Sequence, residues 1–465
     1  MAVIPQYSAF SQARGLLKWL QRRVLDRPYM SIKENLWQSL QIAITTCALV
    51  ASVGCYYVSK PVVKPVVMHT DQGKQVFTPP KPEYTVSGSA WTNSVGEGTN
   101  AITVLHFVGV TNYYSFGYHH GKIFAAQIQA NVDTVYQIAL GLMSRKKGLG
   151  HLPDGTKKAI IDVVLDKAWA MMEPYVYQCE KDEMEGLVAG LRAGGAKISL
   201  NEVHRLMAAP DLTETTCSAF IATGSATSDG HTYQLRVLDY GAGSGLEKHP
   251  LITVYTATRP GENTFVNVGW VGFLGLVSGM NEKKVAISEM GMGTQPGETL
   301  CGEPMITLLK RVLRHADSAE AATSIIRSAQ RNNAYTYGIG DGKGGAFGLV
   351  TSAHACQVYP VNANPMITFG TMTLPQFKDI MYAGFDCKKL CDLADEMKGT
   401  FDLERIQQIA RKVRLPSCLH VVIYRNDTGD LWVANRHGDI PAADCEYVKF
   451  PFSMWGLEPE KTLAR

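Results

Sequence analysis

The chain predicts an α+β domain, and three observations carry that expectation. Helical periodicity dominates residues 118–208, short β-type runs separated by Gly, Asp, Asn or Pro take over after Thr216, and a helix pair between about residues 303 and 330 interrupts those runs. Strands in runs, broken by helix pairs, belong to sheets with segregated helices rather than to a doubly wound parallel sheet. The 465 residues hold one large or two medium domains, so core size is not limiting. With 46% hydrophobic and 19% charged residues and a formal charge of +3, the composition is globular and has no block of positive charge suited to nucleic acid.

Residues 1–39 form a basic N-terminal tail. Leu40 to Val58 is a run without a charge, followed at its end by Tyr56 and Tyr57. At about 1.5 Å per residue such a run nearly spans a hydrocarbon core of roughly 30 Å, and the tyrosines stand at the interface, so residues 40–58 predict a single transmembrane helix. A buried core helix is the alternative, given Thr45, Thr46 and Gly54; a cleaved leader fits less well behind so long a tail. Arg14, Lys18, Arg22, Arg23, Arg27 and Lys33 precede the run and Lys60, Lys64 and Lys74 follow it, which points to a cytoplasmic N-terminus and a lumenal or extracellular catalytic part. Residues 59–100, rich in Pro, Val, Thr, Ser and Gly, predict a stalk. Asn426-Asp427-Thr428 is a glycosylation sequon.

From Ala101 a strand (AITVLHFVGV) leads through Asn112 and Gly117 into a helix over about 118–144, with further helices over about 155–173, 180–194 and 200–208. After Thr216 come strands in CSAFIATG, HTYQLRVLDY, LITVYTA, TFVNVGWVG, LGLVSG and KVAISEM. A helix near Glu303 to His315 follows, then one N-capped by Asp317 with Glu320 three residues on, and then strands in TYGIG, GAFGLV, LHVVIY and DLWVAN. Of the ten cysteines, Cys47 and Cys55 lie in the apolar run. Cys387 and Cys391 share a helix face, as packed core residues or as a disulfide. His119 and His120 have no ligand partner at metal spacing, and there is no glycine-rich phosphate loop; neither metal nor cofactor is expected.

The boundary Thr215-Thr216-Cys217-Ser218 opens a strand on cysteine. Such a residue is ordinarily a small buried side chain. Here it is followed by a turn (Ser228-Asp229-Gly230) and a second strand carrying Arg236 and Asp239, so a hairpin can return both to Cys217. In this arrangement the chain resembles the acyl-coenzyme A:6-aminopenicillanate acyltransferase-like family of cysteine N-terminal-nucleophile (Ntn) hydrolases, relatives of choloylglycine hydrolase and acid ceramidase. The resemblance extends to Gly109…Gly117…Gly121, to Glu183, Gly186 and Gly190, to Ala208–Asp211, to Gly272…Gly279-Met280-Asn281-Glu282-Lys283 and to Leu419–Asn435, and so covers roughly residues 101–452.

The resemblance implies a four-layer αββα sandwich, with a helical α-chain segment at 101–216 and a β-chain catalytic region at 217–465. It implies self-cleavage between Thr216 and Cys217, an N-to-S acyl shift followed by hydrolysis, and the two chains are expected to stay together. The freed α-amino group of Cys217, with an ordinary pKa of about 7.7–8, would serve as base to its own thiol. Arg236 would stabilise the thiolate and Asp239 would hold the amine. Tyr240, Asn281 and Glu289 could line the pocket, although Asn281 and Glu282 also fit a plain polar turn. The substrate implied is a small N-acylated molecule whose C–N bond is cut or whose acyl group is transferred, and a nearby membrane makes lipid amides attractive.

One departure is Gly370-Thr371-Met372-Thr373, where ceramidase-type relatives have a Thr-Asn step whose asparagine serves the oxyanion hole. Losing such a donor costs on the order of 100- to 1000-fold in rate. Another is Cys418, standing where asparagine is expected. A non-catalytic, membrane-tethered scaffold and a phospholipase-like esterase are therefore the competing readings.

Overall fold

The computed structural model describes residues 84–144, 149–213, 216–240, 245–292, 298–369, 372–384 and 387–456. The predicted tail and span therefore lie outside the described residues, as does the stalk up to residue 83. No helix among the described residues is long and apolar enough to cross a membrane.

The N-terminal segment contributes β1 (Ser89–Val95), β2 (Ile102–Val108) and five helices: α1 (Tyr113–Ile123), α2 (Ala125–Ser144), α3 (Asp154–Met172), α4 (Gln178–Ala193) and α5 (Leu200–Ala208). The segment from Thr216 adds β3 (Thr216–Ala222), β4 (Tyr233–Asp239), β5 (Pro250–Tyr255), β6 (Phe265–Trp270), β7 (Ser278–Asn281), β8 (Ala286–Gly291), α6 (Met305–His315), α7 (Ala319–Ser328), β9 (Tyr335–Gly340) and β10 (Ala346–Thr351). It closes with β11 (Cys356–Pro360), β12 (Met366–Phe369), β13 (Met372–Pro375), β14 (Ile380–Gly384), α8 (Cys387–Met397), α9 (Leu403–Val413), β15 (Cys418–Arg425), β16 (Asp430–Asn435) and β17 (Val448–Phe450).

Among the described residues these strands make a nine-stranded sheet in the order β1-β2-β5-β6-β7-β8-β9-β10-β11, a six-stranded sheet in the order β14-β3-β4-β15-β16-β17, and a separate β12–β13 hairpin. The two large sheets face each other through β3, β4 and β14 against β8 and β9. α6 and α7 cover the outside of the first, and α8 and α9 the outside of the second. That is the four-layer αββα arrangement. It also explains why β3 and β4 are buried almost throughout, polar Gln234, Arg236 and Asp239 included: both faces of these antiparallel strands are covered.

The N-terminal segment is not an appendage. β2 pairs in parallel with β5, Thr103 opposite Leu251 through His106 opposite Val254. α1 and α4 pack backbone against backbone: a Cβ on Gly117 would lie 1.9 Å from the Glu183 carbonyl oxygen, and one on Gly186 would lie 1.9 Å from that of Tyr114. The glycine motifs at 117–121 and 186–190 thus buy close helix packing, not chemistry.

Four expectations are corrected here. Residues 84–100 are not all stalk, since Ser89–Val95 is the edge strand of the larger sheet, paired along its length with β2. SAWTNSV lacks an apolar alternation, so only the ladder defines it. The long helix starts earlier, capped by Asn112 on the Ser115 amide, and bends at Phe124, whose ring packs edge-on to His120. The cap of α7 is Ser318 rather than Asp317, because the Ser318 hydroxyl is the one that accepts from the Ala321 amide. Asn426 is fully buried in the β15–β16 turn, with its amide nitrogen 3.4 Å from the Lys284 carbonyl, so the folded sequon has no room for a glycan. Cys387 and Cys391 are both buried on α8.

Candidate active site

Cys217 is the second residue of β3 and is 1% exposed. Register decides what it meets. Cys217 stands opposite Leu238 and Ala219 opposite Arg236, so Cys217, Ala219, Arg236 and Leu238 share the face turned to the nine-stranded sheet. Arg236 is the diagonal neighbour of Cys217, at a spacing long side chains bridge, and its guanidinium lies within hydrogen-bonding reach of the thiol. The guanidinium is fully buried. Nη1 donates to the Val237 carbonyl at 2.7 Å, and Nη2 donates to Glu289 Oε2 at 3.2 Å across the sheet gap.

Asp239 is placed differently. It lies on β4, opposite Thr216 of β3 and opposite Cys418 of β15, next to a bulge. Its Oδ1 accepts from the Leu415 amide at 3.0 Å. It therefore flanks the residue before Cys217. β14 completes the surroundings: Gly384 (φ +143°) packs so closely that a Cβ there would meet the Cys217 carbonyl oxygen at 2.6 Å.

The electrostatics follow from burial. Burial pushes the Cys217 thiol up to about 11; Arg236 opposes this, while Glu289 and Asp239 add to it. Burial raises Asp239 to about 6, and it raises Glu289 against the pull of Arg236. Asp211, in the turn before the nucleophile, is raised to about 7 by burial, with the Glu289 charge contributing. Arg236 thus lies beside both the buried thiol and Glu289, with Asp239, raised as well, close by. Clusters of displaced pKa values of this kind concentrate at functional sites.

Not every expected residue is free to serve. Asn281 is consumed by structure: its Nδ2 donates to the Leu313 and Ala316 carbonyls at the end of α6, at 2.8 and 2.7 Å, and its Oδ1 accepts from the Val285 amide. This corrects its assignment to a pocket. The Tyr240 hydroxyl is 3.1 Å from Thr213 Oγ1, tying the strand after Arg236 to the segment before the nucleophile. Met372 is exposed on the β12–β13 hairpin, and a thioether donates no hydrogen bond. Cys418 is buried beside Asp239, and burial raises its thiol. His119 Nε2 donates to the Ser87 carbonyl at 3.1 Å, and buried His120, lowered to about 3 by burial and Lys310, accepts from the Gly272 amide on Nε2. Among the described residues no group of side chains could hold a metal.

Two neighbours lie in segments the resemblance covers but are given no role of their own by the sequence. His420 lies on the same sheet row as Cys217, one strand beyond Leu238, stacked on Trp270 with ring centroids 5.0 Å apart and bonded through Nε2 to Ser278 Oγ at 2.8 Å. Burial and Arg236 lower it to about 3, so it is neutral. Asp211 is the other. Pro-Ser-Cys-Leu-His and Ala-Ala-Pro-Asp carry no periodicity that would single out either one.

Sequence comparison finds protein dcd1B of Dictyostelium discoideum, 24% identical over 297 residues, which is 62% of this chain and 58% of that protein. It also finds protein dcd1A of the same organism, 22% identical over 362 residues, 73% of this chain and 80% of that protein. Among solved structures, a Caenorhabditis elegans ortholog of N-acylethanolamine-hydrolyzing acid amidase aligns with a TM-score of 0.36 and 13% identity, covering 45% of this chain and 93% of that one. Penicillin V acylase from Agrobacterium tumefaciens aligns with a TM-score of 0.35 and 9% identity, over 51% and 87%. No protein-family model matches the chain.

Proposed function

We propose that the chain is a cysteine Ntn amidohydrolase or acyltransferase that cleaves itself before Cys217 and then acts through that residue on the C–N bond of a small N-acylated substrate. The observation that carries this reading is the Cys217–Arg236 pair, a thiol opening an inner strand with a buried guanidinium beside it, together with Asp239 opposite Thr216. In self-cleavage the Cys217 sulfur attacks the Thr216 carbonyl carbon and the Thr216–Cys217 C–N bond breaks, leaving a thioester and a free amine. Water then hydrolyses the thioester to the Thr216 carboxylate and the thiol. The new ammonium comes to lie beside Asp239. In turnover the amine accepts the thiol proton and Arg236 stabilises the thiolate.

The two chains stay associated after cleavage in this reading. The β2–β5 ladder and the ion pairs from Glu180 and Glu183 on α4 to Lys310 and Arg314 on α6 all cross the cut. A span at residues 40–58 would tether the enzyme to a membrane with its catalytic part lumenal or extracellular, and lipid amides would be within reach there. The exposed Met372 in place of an oxyanion asparagine favours a second reading, a tethered scaffold that keeps the fold without turnover.

Intact mass and N-terminal sequencing of the full chain separate the two. Wild type is expected to yield a fragment of about 27 kDa, residues 217–465 of a 50.9 kDa chain, beginning at Cys217, and Cys217→Ala is expected to stay whole. A wild-type chain that stays whole in an acidic, reducing buffer as well as at neutral pH would move the assignment to the scaffold.

A further inference from the structure

We propose that Asp211 is a positioning residue for self-cleavage, clamping the chain upstream of the scissile bond to elements downstream of it. This rests on the self-cleavage reading above.

Asp211 lies in the short turn Pro210–Leu212, between α5 and β3, and is buried. Its three bonds all cross the cleavage point. Oδ1 accepts from the backbone amide of Met305, the first residue of α6, at 3.4 Å, and from the Tyr335 hydroxyl at 3.3 Å. The Asp211 carbonyl accepts from Asn333 Nδ2 at 2.7 Å. α6 begins after Pro304, which has no side chain that could cap it, so Asp211 supplies from a distant stretch of chain the acceptor that a Ser or Asp would normally provide locally. Oδ2 is out of contact with solvent, with the Asn332 side chain acting on the carboxyl besides Tyr335.

The consequence is geometric. An N-to-S shift needs the Thr216 carbonyl carbon within attack distance of Cys217 Sγ and at the right angle, and displacement by about 1 Å can cost on the order of 100-fold. Downstream, Cys217 is fixed by β3 lying between β4 and β14. Upstream, the arm is fixed by Asp211 and by Thr213, whose hydroxyl meets Tyr240. Thr216 itself pairs with Asp239 at the head of β3, where the two anchored stretches join. Once the bond is cut, the upstream arm ends at Thr216 and Asp211 no longer acts on the nucleophile. Its contribution therefore belongs to maturation and not to turnover.

The test measures the rate at which the Cys217 fragment appears from full-length wild type, Asp211→Ala, Asp211→Asn and Tyr335→Phe, by mass spectrometry over time. Asparagine keeps an acceptor at Oδ1, so Asp211→Asn should cleave within about threefold of wild type, while Asp211→Ala slows at least about tenfold and Tyr335→Phe falls between them. Asp211→Ala is also placed in a Cys217→Ala chain, where no cleavage intervenes, and its melting is followed by circular dichroism. Cleavage of Asp211→Ala at the wild-type rate overturns the proposal, as does Asp211→Asn slowing as much as Asp211→Ala. A Cys217→Ala/Asp211→Ala chain already unfolded at the assay temperature also overturns it, making Asp211 a folding residue. A wild-type chain that never cleaves sinks the self-cleavage reading itself, whatever the variants do.

Discussion

Two buried clusters of charge, built from similar residues, differ in how their charges add up. Between α4 and α6, Glu180 and Glu183 face Lys310 and Arg314. Arg314 bonds Glu180 at 2.6 Å, Lys310 bonds Glu183 and lies 3.4 Å from Glu180, and the Tyr255 hydroxyl donates to Glu183 at 2.7 Å. Two carboxyl groups meet two cations; although burial works against it, Lys310 and Arg314 hold Glu180 below its ordinary range, while burial and the Glu180 charge raise Glu183 despite Lys310. Around Cys217, Arg236 faces Glu289, with Asp239 close by; burial raises both carboxyl groups, although Arg236 pulls each down and Arg414 adds to that pull on Asp239. The first cluster sets two cations against two carboxyl groups and fastens helices together, whereas the second sets two raised carboxyl groups beside a buried thiol.

Breaking the first cluster should have the largest effect. Lys310→Met leaves two carboxylates buried with only Arg314 between them, and it should lower stability by about 3–5 kcal/mol in chemical denaturation. The fraction that remains folded should still cleave at Cys217, because the cluster touches none of the reacting atoms. A cleavage rate that falls with intact folding would erase the distinction between the two clusters.

Removing charge from the second cluster should act in the opposite sense. Glu289 raises the Cys217 thiol, so Glu289→Gln should make that thiol more acidic, shifting its midpoint downward by up to about one unit. The pH profile of iodoacetamide labelling at Cys217 in the cleaved chain, read at the peptide level, reports this directly. An unchanged profile would mean that Glu289 serves only to hold Arg236.

The smallest effect concerns pH and stability. Asp211 binds its proton more tightly when folded, at about 7, than in the unfolded chain, at about 3.9. Between those values the folded state keeps a proton that the unfolded state releases. Stability from this group is therefore fully present below pH 4 and lost as pH rises through 7. The neutral His120 and His420 work the other way below about pH 6.5, so the clean comparison is above it. From pH 6.5 to 8 the melting temperature of the Cys217→Ala chain should fall, and Asp211→Asn in the same chain should flatten that fall. Parallel curves would show that Asp211 is ionised throughout.

Much of this molecule was legible from local pattern. The Cys217 hairpin, the helices from 154 to 208 and the strands in TYQLRVLD and LHVVIY follow from apolar spacing and turn residues, because side-chain period and backbone preference are set by near neighbours in the chain. Ser89–Val95 was not legible, since a strand without alternation is defined only by its ladder to β2. Asn281 read as a pocket candidate or a polar turn, and only the contact with the end of α6 shows that its amide is fully engaged.

The sequence by itself determined the class of the fold, the order of its elements, and which cysteine opens a strand beside an arginine and an aspartate. Tertiary structure alone decided that Arg236 turns toward the sheet gap to meet Glu289 while Asp239 lies opposite Thr216. It also decided that the paired glycine motifs let two helices touch, and that Asp211 reaches across the cleavage point to α6. Elements form from preferences between residues close in the chain, but partners, burial and charge balance arise from residues far apart in it, and those exist only once the two sheets have closed on each other.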